Sequence, residues 1–455
     1  MRRTATVGRL AASETVKQLG TRAANVTRSD EASREAMGRR QVETAKQIVA
    51  VLGTMKGAAM KLGQMLSFLD VGLVPEEYRD EFQRELGKLR DAAPTVSFKQ
   101  MRKVIEGDLE ARISAVFEEF AEEPIAAASI GQVYRARLRE DGREVAVKVQ
   151  YPGVAAAVRA DLQSIDLVMR LLKRMTPQLD VRGIATEIRE RVAEELDYEL
   201  EASNQRSLAR IFHGHPFIAI PEVVTELSRE RVLVSEFVQG AGFEELKGRP
   251  QAERDRIGEI VFRFYLGCLY RHRQFSGDPH PGNFMLLEDG RVAFLDFGLY
   301  KRLAPGPVEI ELAAQRAAIE HDAPGLFELM AQNGFLPHPE RVDPQELLSF
   351  LEDTIGWYTT DEVVALVPEF ATEVLMQSSD PRSSHFRHMR HQDMPADHLF
   401  GRRMEMMTLA VLSQLRASAN WYQITREWAY GDPPVTELGR EEAEFYAQDG
   451  VGAAS

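Results

Sequence analysis

The chain has 455 residues, of which 44% are hydrophobic and 28% charged, so it can form a substantial apolar core and is not a disordered protein. Its length allows two or three packed units or one large bilobal enzyme. Acidic residues outnumber basic ones by 70 to 56, and the net charge of −14 argues against a nucleic-acid-binding protein. The single cysteine, Cys268, excludes an internal disulfide and indicates a reducing compartment.

The N-terminal segment, residues 1–30, is basic and polar, and Met1–Arg28 contains only one acid, Glu14. This composition fits a mitochondrial transit peptide or a basic amphipathic helix on an anionic membrane surface. We favour a solvated helix, because no secretory hydrophobic region or cleavage-like site follows. No run of 18 apolar residues occurs, so any membrane contact is predicted to be peripheral.

The first half of the chain changes from a helical to an alternating pattern. Helices are predicted over 31–70, Glu76–Arg90 and Ser97–Phe120. Two strands follow, Ile130–Leu138 and Glu144–Val149, and the Asp141–Gly142 pair between them is a strong hairpin signal. The next predicted elements are the helices Val154–Met175 and Arg182–Ile211 and the strands Phe217–Ile220 and Arg231–Val238.

The second half is predicted to be mainly helical, with one further hairpin. A helix over Ala252–Arg273 precedes strands Phe284–Leu287 and Arg291–Leu295, and helices continue from Pro307 to about Trp428. The pattern predicts an α+β, two-lobed fold with a small β-rich lobe and a large helical lobe. The predicted segments are 1–30, a helical extension over 31–120, an N-lobe over 121–238, a C-lobe over 239–430 and a loosely ordered tail over 431–455.

A lysine at the end of an apolar strand and a run of small residues suggest a nucleotide site. Lys148 ends the strand Val145–Lys148, and Ala126, Ala128 and Gly131 occupy the three glycine positions of a nucleotide-binding loop. Small residues let a backbone approach phosphates closely. Taken alone, tight packing explains the alanine run better, so a nucleotide site needs the support of further motifs.

The residues that could carry phosphoryl transfer come later in the chain. Asp278 and Asn283 have D-x-x-x-x-N spacing, and Asp296 begins an Asp-Phe-Gly triplet after a strand. In phosphoryl transfer one aspartate faces the attacking hydroxyl or water, while the other aspartate and the asparagine hold Mg²⁺. Asp-Phe-Gly alone could be a simple turn. The ordered series of small-residue loop, strand lysine, D-x-x-x-x-N and Asp-Phe-Gly favours an enzyme.

Three features make the chain resemble the UbiB/AarF family of atypical kinase-like proteins, which includes proteins tied to ubiquinone biosynthesis. These are the alanine-rich loop, Lys61–Gln64 as a K-x-G-Q motif, and Glu195–Asp197 as an E-x-D motif followed by Glu201. The similarity runs from about Gln47 to Lys301. It implies a protein-kinase-like fold with the helical extension packed over the active site.

The resemblance also implies residue roles. Lys148 would contact the α- and β-phosphates and pair with Glu201, and Asp278 would take the catalytic-loop position. Asn283 and Asp296 would hold Mg²⁺. Nucleotide-binding residues would be Ala126, Ala127, Ala128, Ser129, Ile130, Gly131, Gln132 and Val133 of the loop and Glu236, Phe237 and Val238 of the hinge. For the Glu236 side chain, a solvated strand end is as good an explanation. Gating residues over the site would be Lys61, Gln64, Glu195 and Asp197.

We therefore predict an ATP-binding, Mg²⁺-dependent ATPase or small-molecule or lipid kinase that supports isoprenoid or quinone metabolism. The alternative is an ATP-switched binding or chaperone-like module for a hydrophobic small molecule. A protein substrate is disfavoured, because no A-P-E motif follows Asp296 at the expected distance and Lys301–Val308 is too short for an activation loop. The composition indicates a bacterial cytoplasm, or a mitochondrion if the source is eukaryotic.

Overall fold

The computed structural model describes residues 96–128, 130–163, 165–166, 169–170, 185–186, 189, 193–379 and 395–449. The chain divides into two compact units, Met1–Thr95 with Gly153–Val192 and Val96–Pro152 with Ala193–Ser455. The second unit contains the strand lysine, both hairpins and the Asp-Phe-Gly triplet. Lys61, Gln64 and Ser129, and with them the predicted extension over the site, lie outside the described residues.

A five-stranded antiparallel sheet forms the first lobe of the second unit. The elements in this part of the chain are α1 (Phe98–Asp108), α2 (Ile113–Val116), β1 (Phe117–Phe120), β2 (Ala126–Ala127), β3 (Gly131–Leu138), β4 (Glu144–Gln150), α3 (Val154–Leu162, in the first unit), α4 (Tyr198–Ile211), β5 (Ile218–Ala219) and β6 (Val232–Glu236). The sheet order is β1-β3-β4-β6, with β2 also paired to β3. The predicted β3–β4 hairpin is confirmed, and Gly142 in its turn has a φ of +72°, which favours glycine.

Two of the predicted helices differ from the structure. The end of the predicted helix Ser97–Phe120 is wrong, because Phe117–Phe120 forms β1 and pairs with β3. The predicted helix Arg182–Ile211 does not continue through its middle, since α4 begins only at Tyr198 and Asp197 is its N-cap. The strand pairing and the cap stabilise local structures that apolar periodicity alone does not distinguish from a continuous helix.

The second lobe is mostly helical and carries a small second sheet. Its elements are β7 (Gly240–Ala241), α5 (Phe243–Leu246), α6 (Gln251–His272), β8 (Gln274–Ser276), β9 (Phe284–Leu287), β10 (Val292–Phe294), β11 (Tyr300–Arg302), α7 (Pro305–Ile319), α8 (Ala323–Gln332), α9 (Pro344–Thr359), β12 (Val364–Ala365), α10 (Pro368–Ser379), α11 (Ala396–Leu415), β13 (Ser418–Ala419), α12 (Trp421–Ala429) and α13 (Glu437–Asp449). The second sheet has the order β5-β10-β9-β7, and β11 pairs with β8. Helix α6 lies at the centre of this lobe, with every residue from Ile257 to Tyr270 buried.

The C-terminal helix α13 is fastened to α6 by buried charges. The fully buried Arg263 of α6 lies 2.8 Å from Glu259, 2.7 Å from Glu427 and 3.0 Å from Glu442 of α13. Burial alone would lower the pKa of Arg263, but the three carboxylates raise it well above its usual value. The prediction of a loosely ordered tail over 431–455 is therefore wrong for Glu437–Asp449.

The α+β, two-lobed architecture predicted from the pattern is confirmed, as is the kinase-like fold that the family resemblance implied. The chain leaves the first sheet at the end of β6 and enters the second sheet at β7, so the connection between the lobes spans residues 237–239. In the part of the chain that the structure describes, none of the helices is both long and apolar enough to cross a membrane.

Candidate active site

Lys148 is held at the centre of the first sheet and faces two carboxylates. Its strand, β4, places it opposite Val133 of β3 and Leu233 of β6. The Lys148 Nζ donates a hydrogen bond to Glu201 Oε1 at 2.7 Å and lies 3.6 Å from Asp296 Oδ2. Strand β4, helix α4 and the Asp-Phe-Gly segment thus meet at one ammonium group.

The charges around this lysine sum to a negative value. Burial alone would lower the pKa of Lys148, but Asp296 and Glu201 outweigh it and hold the pKa well above its ordinary value. Burial raises the pKa of Glu201, Lys148 opposes the shift, and Asp296 adds to it. Two carboxylates share one ammonium group, so the three side chains together carry a net negative charge that a further cation would offset.

The predicted nucleotide loop is a tight turn between β2 and β3. Ala126 and Ala127 are exposed strand residues, and Ala128 N–H donates to Gly131 C=O at 2.9 Å. A Cβ on Gly131 would lie 2.2 Å from Val149 O and 2.9 Å from Tyr198 Oη, so this position requires glycine. The remaining described loop residues are Ile130, Gln132 and Val133, of which the first two are buried.

The predicted hinge begins at Glu236, the last residue of β6, and continues through Phe237 and Val238. Phe237 N–H donates to Glu144 O at 3.1 Å, which ties this segment to β4. The Glu236 carboxylate accepts a hydrogen bond of 3.4 Å from the backbone N–H of Glu222, and the side chain is exposed. The structure therefore gives the Glu236 side chain a local contact, while Val238 is half-buried on the connection between the lobes.

The E-x-D residues lie at the start of helix α4. Gln150 Nε2 donates to Leu196 O at 2.8 Å, which fixes this segment against β4. The Asp197 carboxylate accepts from two backbone N–H groups in the first turn of α4, at 3.0 and 3.1 Å. Asp197 thus acts as a helix cap in the described residues, a role that the gating prediction did not include. Glu195 is buried, and its predicted lysine partner lies outside the described residues.

Hydrogen bonds to backbone carbonyl groups bring the catalytic-loop and Asp-Phe-Gly segments together. Asn283 Nδ2 donates to Asp278 O at 2.9 Å, and Leu295 N–H donates to Asn283 O at 2.9 Å. Ser276 Oγ donates to Asp296 O at 3.2 Å. Asp278, Asn283 and Asp296 are therefore held in one neighbourhood by the strands β8, β9 and β10.

The oxygen atoms of Asn283 and Asp296 suit a hard cation such as Mg²⁺. Because the Asn283 amide nitrogen donates to Asp278 O, its amide oxygen is directed away from that carbonyl. Asp296 Oδ1 accepts from Gly298 N–H at 3.0 Å, which orients the carboxylate. Among the described residues, no three His, Cys, Asp or Glu side chains could hold a metal by themselves. This donor set fits Mg²⁺ that is held partly by nucleotide phosphates.

Two residues that the sequence did not single out also belong to the site. Arg403 of α11 places Nη2 3.4 Å from Asp278 Oδ1. The Tyr198 ring lies 5.1 Å from Lys148 Nζ, and its buried hydroxyl has no hydrogen-bond partner among the described residues. Tyr198 could have been noticed because it follows the E-x-D motif directly. No local pattern marks Arg403, which is distant from every motif in the sequence.

Comparisons with known proteins agree on one family. Residues 88–330 match the family model described as the ABC1 atypical kinase-like domain. The chain is 34% identical to AarF domain-containing protein kinase 1 of Xenopus laevis over 255 residues, which cover 54% of this chain and 48% of that protein. It is 33% identical to the mitochondrial atypical kinase coq-8 of Caenorhabditis elegans over 297 residues, which cover 64% and 39% of the two chains. The chain thus spans about half or less of the length of these relatives.

A solved structure is similar over a larger share of the chain. It is described as the complex of Rv3197 with erythromycin from Mycobacterium tuberculosis. The two chains are 33% identical, with a TM-score of 0.64, and the match covers 89% of this chain and all of that one.

Proposed function

The chain belongs to the family of ABC1 atypical kinase-like proteins, and we propose that it binds ATP with Mg²⁺ and transfers the γ-phosphoryl group to water, a small molecule or a lipid. The observation that carries the proposal is the contact of Lys148 with both Glu201 and Asp296, at 2.7 and 3.6 Å. In kinase-like enzymes a strand lysine paired with a helix glutamate aligns the α- and β-phosphates. The chain brings this pair to the aspartate that would hold the metal.

Each side chain then has a role that its chemistry supports. Lys148 binds the phosphates, and Asp278 accepts the proton of the attacking hydroxyl or water. Asn283 and Asp296 hold Mg²⁺, which offsets phosphate charge when it is bound. The loop over Ala126–Val133 covers the phosphates, and the hinge over residues 236–238 contacts the adenine. Under the same proposal, Lys61, Gln64, Glu195 and Asp197 gate access to the nucleotide.

A small or lipid-like acceptor is favoured over a protein. The segment after Asp-Phe-Gly turns at once into β11, which pairs back with β8, and α7 begins at Pro305. Protein kinases use the segment at this position to control the active site. Here that segment is short and paired, which supports an acceptor other than a protein. We further propose a cytoplasmic protein with peripheral membrane contact.

A second candidate function is an ATP-switched module that binds a hydrophobic small molecule. The observation that favours it is the relative solved with erythromycin, a bulky macrolide, at 33% identity. In this case nucleotide binding would change the affinity for the second ligand, and hydrolysis would be slow. Isoprenoid and quinone-like molecules are the ligands that we propose to test first.

Binding and turnover distinguish the two candidates. Mg²⁺-ATP affinity and steady-state hydrolysis are measured with and without a phenol, an isoprenoid alcohol or erythromycin. The variants are Asp296→Asn and, as a matched control, Asp289→Asn, whose carboxylate pairs with Arg291 on an exposed turn. Metal-dependent turnover that is lost only in Asp296→Asn supports phosphoryl transfer. Nucleotide binding with equal turnover in wild type and Asp296→Asn overturns it and supports the binding module.

A further inference from the structure

We propose that Arg403 of helix α11 is a positioning residue that fixes the Asp278 carboxylate for phosphoryl transfer, an inference that rests on the proposed function. The guanidinium Nη2 lies 3.4 Å from Asp278 Oδ1. The two side chains are 15% and 20% exposed, so solvent screens the contact only in part. The contact joins the catalytic loop to a helix 125 residues further along the chain.

Helix α11 is held against helix α7 by residues on a different face from the one that carries Arg403. His398 Nδ1 lies 2.7 Å from Glu311 Oε1 of helix α7, and Arg402 lies 3.1 Å from the same carboxylate and 3.0 Å from Glu405. Consecutive helical residues are about 100° apart around the axis. The partly buried contacts of Arg402 therefore fix the rotation of the helix that presents Arg403 to Asp278.

Helix α11 also packs against Gly277, the residue before Asp278 in the catalytic loop. A Cβ on Gly277 would lie 2.6 Å from the Phe400 ring, so glycine is needed for the close approach of α11. The Arg403 guanidinium lies 5.8 Å from this ring, which helps to orient it. On the backbone side, Asp278 O accepts from Asn283. Asp278 is thus held through its backbone carbonyl by Asn283 and through its carboxylate by Arg403.

The geometry predicts an effect on turnover rather than on nucleotide binding. Arginine keeps its charge at all relevant pH values and holds a carboxylate through directional N–H groups. Without it, the Asp278 carboxylate can rotate away from the attacking hydroxyl, and small losses of orientation slow such reactions strongly. Lys148 contacts Glu201 and Asp296, whereas Arg403 contacts Asp278.

The test is a set of variants assayed for kcat, nucleotide Kd and thermal stability. The set is Arg403→Met, Arg403→Lys, Asp278→Asn and the double variant Asp278→Asn with Arg403→Met. Arg249→Met is the matched control, since it removes two solvent-accessible ion pairs of the same lobe, with Glu245 and Glu253. We expect Arg403→Met to lower kcat about tenfold with Kd within about twofold, and Arg403→Lys to keep an intermediate kcat.

The double variant separates positioning from a structural role. If Arg403 acts through Asp278, then Arg403→Met causes no further loss of kcat in the Asp278→Asn background. An additive loss of kcat in the double variant, or an unchanged kcat in Arg403→Met and Arg403→Lys, overturns the inference. The proposed function still stands in that case if turnover depends on Asp296. A wild-type turnover no faster than that of Asp296→Asn overturns both. Where Arg403→Met does not fold, Arg403→Lys gives the same comparison.

Discussion

Removing the positive charge from the group of Lys148, Glu201 and Asp296 should cost far more stability than removing one negative charge. Lys148→Met leaves Glu201, which is 3% exposed, beside a second carboxylate with no ammonium between them. Glu201→Gln instead leaves one carboxylate for the lysine and keeps a side chain of the same shape that can still accept its hydrogen bond.

The expected magnitudes follow from burial and charge. Removing one partner of a buried ion pair costs about 3–5 kcal/mol of unfolding free energy. Because Lys148 is 18% exposed, we expect the lower end, about 3 kcal/mol, for Lys148→Met. Burial already raises the pKa of Glu201, so its charged form is disfavoured there. We therefore expect Glu201→Gln to change the unfolding free energy by no more than about 1 kcal/mol.

Thermal unfolding followed by circular dichroism measures the difference. For a unit of this size, a loss of about 3 kcal/mol lowers Tm by about 5 °C. Lys247→Met and Glu244→Gln are matched controls. Glu244 lies in α5 and Lys247 directly follows that helix, and this exposed ion pair should contribute little to the unfolding free energy. Both Lys148→Met and Glu201→Gln should lower ATP turnover. Equal destabilisation by the two substitutions would refute the reasoning from net charge.

Three further predictions concern the loop, the C-terminal helix and acid stability. Gly131→Ala should destabilise the protein by about 1–3 kcal/mol and weaken ATP binding, because the added Cβ would lie 2.2 Å from a carbonyl oxygen. Gly107→Ala is the control for thermal unfolding, because a Cβ at that position would have no atom within 4 Å. Arg263→Met should cost about 3–5 kcal/mol in urea unfolding, because three buried carboxylates lose their cation. Burial lowers the pKa of His215 to about 3 and of His272 to about 4. The unfolded chain binds a proton on each histidine near pH 6.5, and the folded chain does not. The unfolding free energy should therefore fall from pH 6.5 towards pH 4, by up to about 1.4 kcal/mol per pH unit for each histidine. His272→Gln should reduce that slope.

Local chemistry made much of the architecture predictable from the sequence. The β3–β4 hairpin was predictable because Asp141–Gly142 suits a tight turn between two alternating strands. The contact between Lys148 and Glu201 was predictable because each belongs to a motif with a fixed place in a kinase-like fold. A local turn sets the hairpin, whereas the Lys148–Glu201 contact joins two motifs that are 53 residues apart.

The features that the sequence did not reveal depend on distant partners. Phe117–Phe120 has no strong strand pattern, and it becomes β1 because β3 offers an edge for pairing. Helix α13 looked like a polar tail, and its Glu442 is buried only because Arg263 lies 179 residues earlier in the chain. Arg403 reaches Asp278 only when α11 packs on the catalytic loop. Such contacts require the tertiary structure.

The buried charges of Arg263 have a consequence for synthesis on the ribosome. The guanidinium completes its set of partners only when Glu427 and Glu442 have been made, 164 and 179 residues after it. At about 5–20 residues per second, that delay is roughly 10–35 seconds. Until then, the central helix of the larger lobe carries a cation that has Glu259 beside it but neither of these two partners, so the lobe should reach its final packing only after Glu442 has left the ribosome.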